Sequence, residues 1–254
     1  MNDRIRAELR RLEAAHSIRI LYACEAGSRA WGFPSPDSDY DVRFIYCRPA
    51  AGYLTLEPGP DTLNFPLDDE LDLAGWDLRK TLLLLRGSNA ALLEWLQSPV
   101  VYHEALDFLA ALRPVVADCF NPLAALHHYL GLVRRGVEED LPAEQLRLKR
   151  LFYALRSALA ARWIREQLTE PPMEFSHLRE LLPAALQPEA DELLRQKALA
   201  TEKTTVPRPA ALAAFIEAEY QAGQAARAAL VLPRRQDPTP ALNTLFQQLL
   251  TGAF

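Results

Sequence analysis

The sequence predicts an α+β protein, with a small mixed sheet in the first part of the chain and an all-helical remainder. Three observations carry that reading. Strand-like runs cluster before residue 104, and almost none occur beyond it. After residue 104 apolar residues recur at helical spacing in separate stretches. Between the first two strand-like runs, Gly27-Ser28 and Asp39-Tyr40-Asp41 place a tight turn and a close carboxylate pair at strand ends, where a sheet presents chemistry-bearing side chains.

Taken in order, residues 2–15 carry Ile5, Leu9 and Leu12 at helical spacing, and 18–24 reads as a buried strand. A short helical turn over 28–32 and a loop over 34–38 lead to the second strand, 39–46. Prolines and glycines punctuate the next stretch and leave short strands at 53–56 and 62–65; 70–73 follows with acidic-apolar alternation. Asp68, Asp69 and Glu70 read as solvated loop charges. From Trp76 the period turns helical. Leu78, Leu82 and Leu85 share a face, Gly87 ends that helix, and Asn89 caps the next. A short strand is expected at 98–102, then helices at 104–117, 121–137, 143–168, 187–200, 208–229 and 238–250, with Pro171-Pro172 as a breaker. The expected plan is a catalytic domain over 1–117 and a helical domain over 118–254 closing the cleft.

At 254 residues the chain is long enough for one large domain or two modest ones. A net charge of −5 argues against nonspecific coating of nucleic acid and leaves room for a local basic groove. Cys24, Cys47 and Cys119 are too few and too scattered for a disulfide framework or a zinc site. No apolar run approaches the roughly 20 residues that span a bilayer, and the N-terminus lacks a signal-peptide core. A cytoplasmic protein without a membrane partner is the expectation; oligomeric state is left open.

On a strand, positions 39 and 41 point to the same face. Two carboxylates so close repel unless a cation lies between them, and hard oxygen ligands favour Mg²⁺ or Mn²⁺. Gly27 lets backbone N–H groups approach a phosphate, and the Ser28 hydroxyl adds a hydrogen bond. The alternative for this pair is an ordinary turn glycine and a helix N-cap. Carboxylates facing a phosphate cradle are equipment for phosphoryl transfer.

This arrangement resembles the nucleotidyltransferase superfamily that includes DNA polymerase β, whose signature is Gly-Ser, a spacer of about ten residues, then Asp-x-Asp. The wider wording, Glu25-Ala26-Gly27-Ser28-Arg29-Ala30-Trp31-Gly32-Phe33, Gly75-Trp76-Asp77-Leu78-Arg79-Lys80 and Leu93-Glu94-Trp95-Leu96-Gln97-Ser98-Pro99, is similar to the predicted nucleotidyltransferases linked with RNA ligases, the YcgL-like or RlaP family. The resemblance implies a nucleotidyltransferase domain that moves a nucleoside monophosphate from a nucleoside triphosphate such as ATP to a hydroxyl, releasing pyrophosphate. It implies an RNA acceptor, as in RNA repair, and an RNA ligase as partner. A protein or small-molecule acceptor, and a noncatalytic nucleotide-sensing module, are the alternatives.

Such chemistry calls for a third carboxylate. Asp72, on a predicted strand, is the first choice beside Asp39 and Asp41 as metal ligand; Asp77, at a helix start, is its rival. Arg29 and Arg43 flank the motif and would neutralise triphosphate charge, or else pair with the carboxylates. Within 145–165, Lys149, Tyr153 and Arg156 share one helical face and would hold the triphosphate or a nucleic-acid backbone; a solvated face is the plain alternative. Adjacent His127 and His128 diverge around a helix and do not suggest a metal site.

Overall fold

Ile5, Leu9 and Leu12 are all buried, together with Ile20, Val42, Phe44, Tyr46, Leu71 and Leu73. One apolar stripe on a helix thus covers one face of a sheet, as the residue spacing requires. The computed structural model describes residues 1–66, 70–233 and 235–253. Asp68 and Asp69 lie outside the described residues. The chain divides into two compact units, the first formed by 1–27, 39–120 and 235 onward, the second by 28–38 and 121–234. Set beside the expected boundary near residue 117, the division places the segment between the two halves of the motif in the second unit and the C-terminal helix in the first.

The first unit begins with α1 (Asn2–His16), ended by Ser17 in the left-handed region, and β1 (Arg19–Glu25). The chain leaves it at the start of α2 (Gly27–Trp31) and re-enters before β2 (Tyr40–Cys47). Then come β3 (Thr62–Pro66), β4 (Leu71–Asp77), α3 (Leu78–Arg86), α4 (Ala90–Trp95), β5 (Val101–Glu104) and α5 (Phe108–Cys119). The five strands form one mixed sheet in the order β3-β4-β2-β1-β5. Among the described residues of this sheet only β2 and β4 run parallel, with Asp41 opposite Asp72 and Phe44 opposite Gly75. The Phe44 ring lies over Gly75, where an added Cβ would fall 2.1 Å from a ring carbon. Close packing against a central strand therefore excludes a side chain there.

The second unit contains Ser28–Ser38, α6 (Pro122–Arg135), a π-helical turn over 136–140, β6 (Gln145–Arg147), α7 (Leu148–Gln167), α8 (Phe175–Leu178), α9 (Gln187–Leu199), β7 (Thr205–Pro207) and α10 (Ala210–Ala229). Its core joins α6, α7 and α10. Phe33 enters that core from the N-terminal segment, 5.6 Å from both the Phe152 and Phe175 rings. The chain then returns to the first unit with α11 (Thr239–Ala253), packed on α3 and α5.

Three expectations are corrected. Residues 53–56 form no strand: a 3₁₀ turn spans Ala50–Tyr53, and Leu54 and Leu56 face solvent. The segment is anchored instead by Tyr53, whose hydroxyl donates to Asp77 (2.9 Å) and whose ring meets Phe246. The strand expected at 70–73 continues to Asp77, because Trp76 finds a stacking partner in Trp95 at 3.8 Å. The helix expected from residue 143 begins at Leu148; β6 precedes it and pairs with β7. All three cysteines are buried thiols, and burial pushes Cys24 and Cys47 up to about 12. Among the described residues no single helix is long and apolar enough to cross a membrane.

Candidate active site

In the first unit, Tyr40, Val42, Phe44 and Tyr46 of β2 face α1, so alternation sends Asp41 and Arg43 to the opposite face. Asp72 stands beside Asp41 on β4. The Arg43 guanidinium joins the two carboxylates, donating from one nitrogen to Asp41 Oδ1 (2.9 Å) and Asp72 Oδ2 (2.8 Å). It also donates to the backbone carbonyls of Val42 and Asp72. Both carboxylates keep substantial exposure, 32% and 44% of their side chains. Asp39, exposed, immediately precedes the strand.

Two features fix Asp41. Gly27 has φ +60°, and a Cβ there would fall 2.1 Å from Asp41 Oδ2. The carboxylate thus occupies the space where any other residue at 27 would carry its side chain. Gly27→Ala is expected to lose about 1–2 kcal/mol of stability, read by thermal melting. The second feature is Glu25, 1% exposed, whose Oε1 accepts the Asp41 N–H at 2.9 Å. Its other oxygen accepts the buried Tyr102 hydroxyl, and its carbonyl accepts Ser98 Oγ (2.7 Å). Ala26 N–H donates to the Asp41 carbonyl (2.8 Å), closing the ladder beyond Glu25.

Asp77 is engaged differently. It caps α3, with Oδ1 accepting Arg79 N–H (2.8 Å), and is 5% exposed; burial raises its pKa. Asp72, by contrast, shares a cation with Asp41.

In the second unit, Arg29 donates twice to the Ser38 carbonyl (2.7 and 3.2 Å), clasping the ends of the 28–38 segment. Ser28 Oγ bonds Ser38 Oγ (3.2 Å), which also meets Glu202. Lys149 donates to Glu202 Oε2 (2.6 Å) and lies 5.8 Å from the Tyr153 ring centroid. Ser28, Lys149 and Tyr153 therefore converge on one network. Arg156 lies in the interior, 2% exposed, over Trp31 and donating twice to the Met173 carbonyl. Its charge is used to hold the fold rather than to face solvent.

Sequence reasoning missed Lys197 and Glu202. Lys197 is 1% exposed, donates to Ser35 Oγ (2.8 Å), and has its pKa lowered by burial. The signal was present: Lys197 follows Ala190 and Leu193 on the apolar face of α9.

Among the described residues no three or more His, Cys, Asp or Glu side chains are gathered so as to hold a metal ion. The donor chemistry around Arg43 is nevertheless of the kind a hard dication takes: two accessible carboxylates on adjacent strands, already sharing one cationic group, with Asp39 just before the strand.

The sequence signature of RlaP, the RNA repair pathway DNA polymerase beta family, matches residues 1–248. The chain is also 42% identical over 247 residues to the uncharacterized protein YcgL of Bacillus subtilis (strain 168), covering 96% of this chain and 95% of that protein. A polymerase β-type motif set on a mixed sheet, followed by helices and matched over almost the whole length, thus places this chain in the RNA repair pathway DNA polymerase beta family.

Proposed function

We propose that the protein is a Mg²⁺-dependent nucleotidyltransferase that transfers a nucleoside monophosphate from a nucleoside triphosphate to a hydroxyl of an RNA end. The observation carrying this reading is the Asp41–Asp72 pair, set on adjacent strands by register, with Asp41 held beside Gly27. Asp39, Asp41 and Asp72 would hold Mg²⁺, which supplies charge neutralisation and a more acidic attacking hydroxyl.

The residues of the chain have distinct tasks in that reaction. The acceptor oxygen attacks the α-phosphorus, the bond to the bridging oxygen breaks, and pyrophosphate leaves. Asp72 accepts the hydroxyl proton. Backbone N–H groups of the Gly27-Ser28 turn and the Ser28 hydroxyl bind the β- and γ-phosphates. Arg43, holding two carboxylates in the free protein, offsets charge on the bound triphosphate. Arg29 keeps the segment after the turn in its bound shape. Lys149, beside Tyr153, supplies the further positive charge. The RNA acceptor draws its support from the family's assignment to RNA repair, and an RNA ligase is the matching partner.

The test is transfer of label from each α-labelled nucleoside triphosphate, with Mg²⁺, into whole-cell RNA and protein. Nuclease-sensitive label that disappears with Asp39→Ala/Asp41→Ala is the expected result. Label removed by protease instead would keep the chemistry and replace the acceptor. Equal labelling by wild type and the double variant would refute the assignment.

A further inference from the structure

In the second unit, α6 presents His127, Gly131 and Arg134 at i, i+4 and i+7, and α10 presents Tyr220, Gln224 and Arg227 at the same spacing. These six residues, with Leu130, line a cavity of about 300 Å³. Among the described residues no carboxylate lines it, although the protein as a whole carries a net charge of −5. Among the described residues the exposed guanidinium groups of Arg134 and Arg227 make no side-chain hydrogen bond or ion pair with protein. The Tyr220 hydroxyl, in contrast, is held by Gln224 Nε2 at 2.9 Å.

Gly131 is the second, independent observation. Glycine weakens a helix interior relative to alanine, so its presence there calls for a reason. Packing explains the other two glycines of this helical core: a Cβ at Gly136 would meet Ala154 at 2.7 Å, and one at Gly223 would meet Leu130 at 2.5 Å. At Gly131 a Cβ would meet nothing within 4 Å. No described protein atom requires that glycine; what it leaves open is the wall of the cavity.

We infer that this cavity binds one nucleoside-phosphate unit, its phosphate drawn by Arg134 and Arg227 and its base received by the fixed Tyr220 ring. Guanidinium groups match phosphate oxygens in fork geometry, and an aromatic face accepts any base. The volume suits a single nucleotide, belonging either to an RNA strand or to a free nucleotide. The inference goes beyond the proposed transfer reaction and stands without it.

The test is a fluorescence-anisotropy titration of a labelled single-stranded oligoribonucleotide, and of a labelled adenosine monophosphate, with neither Mg²⁺ nor triphosphate present. Wild type is compared with Arg134→Ala/Arg227→Ala and with Gly131→Leu, which fills the cavity and keeps both arginines. At least a ten-fold weakening in both variants is expected, with thermal melting unchanged for Gly131→Leu. The arginine variant should also show a shallower salt dependence, by roughly 0.7 in slope for each phosphate of a single strand that is no longer neutralised. Pocket-dependent binding of the oligoribonucleotide alone identifies an RNA strand as occupant; equal binding of the mononucleotide identifies a free nucleotide. Unchanged affinity in both variants, or no binding of either probe by wild type, overturns the inference. Asp39→Ala/Asp41→Ala, inactive in transfer, should retain the binding that these pocket variants lose, which separates the two readings.

Discussion

Asp72→Ala is expected to lower nucleotidyl transfer by roughly 10³-fold or more while moving the melting temperature little, and Asp77→Ala to do the reverse. The two residues stand at either end of one strand, and a distance argument along the sequence barely separates them. Their partners do. Asp72 is 44% exposed at the side chain and shares Arg43 with Asp41. An ion pair that open to solvent contributes only about 0–1 kcal/mol, and Arg43 keeps Asp41 after the substitution. Asp77 is buried, and its loss leaves the Arg79 N–H and the Tyr53 hydroxyl without their acceptor. About 2 kcal/mol of stability should go with it.

The pH dependence sharpens the contrast. Burial raises the folded pKa of Asp77 above its unfolded value, so its titration contributes stability that is fully present below about pH 4 and is lost as pH rises through the folded pKa. The penalty for Asp77→Ala should therefore be larger in acid than at neutral pH, measured by denaturant unfolding. An Asp72→Ala enzyme with wild-type transfer rate would remove Asp72 from the reaction.

Glu25→Ala is expected to be the most destabilising single change at the site. The carboxylate is buried between two donors, the Asp41 N–H and the Tyr102 hydroxyl, and truncation leaves both without it in the interior. Each orphaned donor costs about 1–3 kcal/mol, and relief of the buried charge offsets only part of that. A net loss of about 3 kcal/mol corresponds to roughly 6–12 °C in a chain of this size. Glu25→Gln keeps an acceptor for one donor and should recover most of the loss. If Glu25→Ala melts as wild type does, Glu25 does not anchor Asp41.

Much of the sheet and of the carboxylate site was legible in the sequence, because both leave local marks. Ile5, Leu9 and Leu12 mark a helix face; Asn89 and Asp77 mark helix starts; Asp39 and Asp41 lie two apart, just before and just inside a strand. The features that escaped depend on partners distant in sequence. The three-residue strands β6 and β7 are too short to show a period, and their partners lie far apart along the chain. Glu25 precedes the motif, yet its task is visible only once Tyr102 and Asp41 are brought to it. Arg156 read as part of a basic helix face, whereas α7 is buried around most of its circumference and the guanidinium lies over Trp31. The Asp41–Arg43–Asp72 bridge required the parallel register of β2 and β4, which no single strand pattern specifies.

The division of the chain has a consequence for how the protein is made. Phe33, Ser35 and Ser38 are buried parts of the second unit, yet they are synthesised long before α6 begins at Pro122. The first unit likewise waits for α11, which is synthesised after the whole of the second unit. The two units are interleaved along the chain, so the first cannot finish folding before the second has been made, and the usual order of N-terminal domain first is closed to it. Ribosome-bound chains stopped before residue 235 should remain protease-sensitive in both units, and the isolated fragment 121–234 should lack part of its own interior.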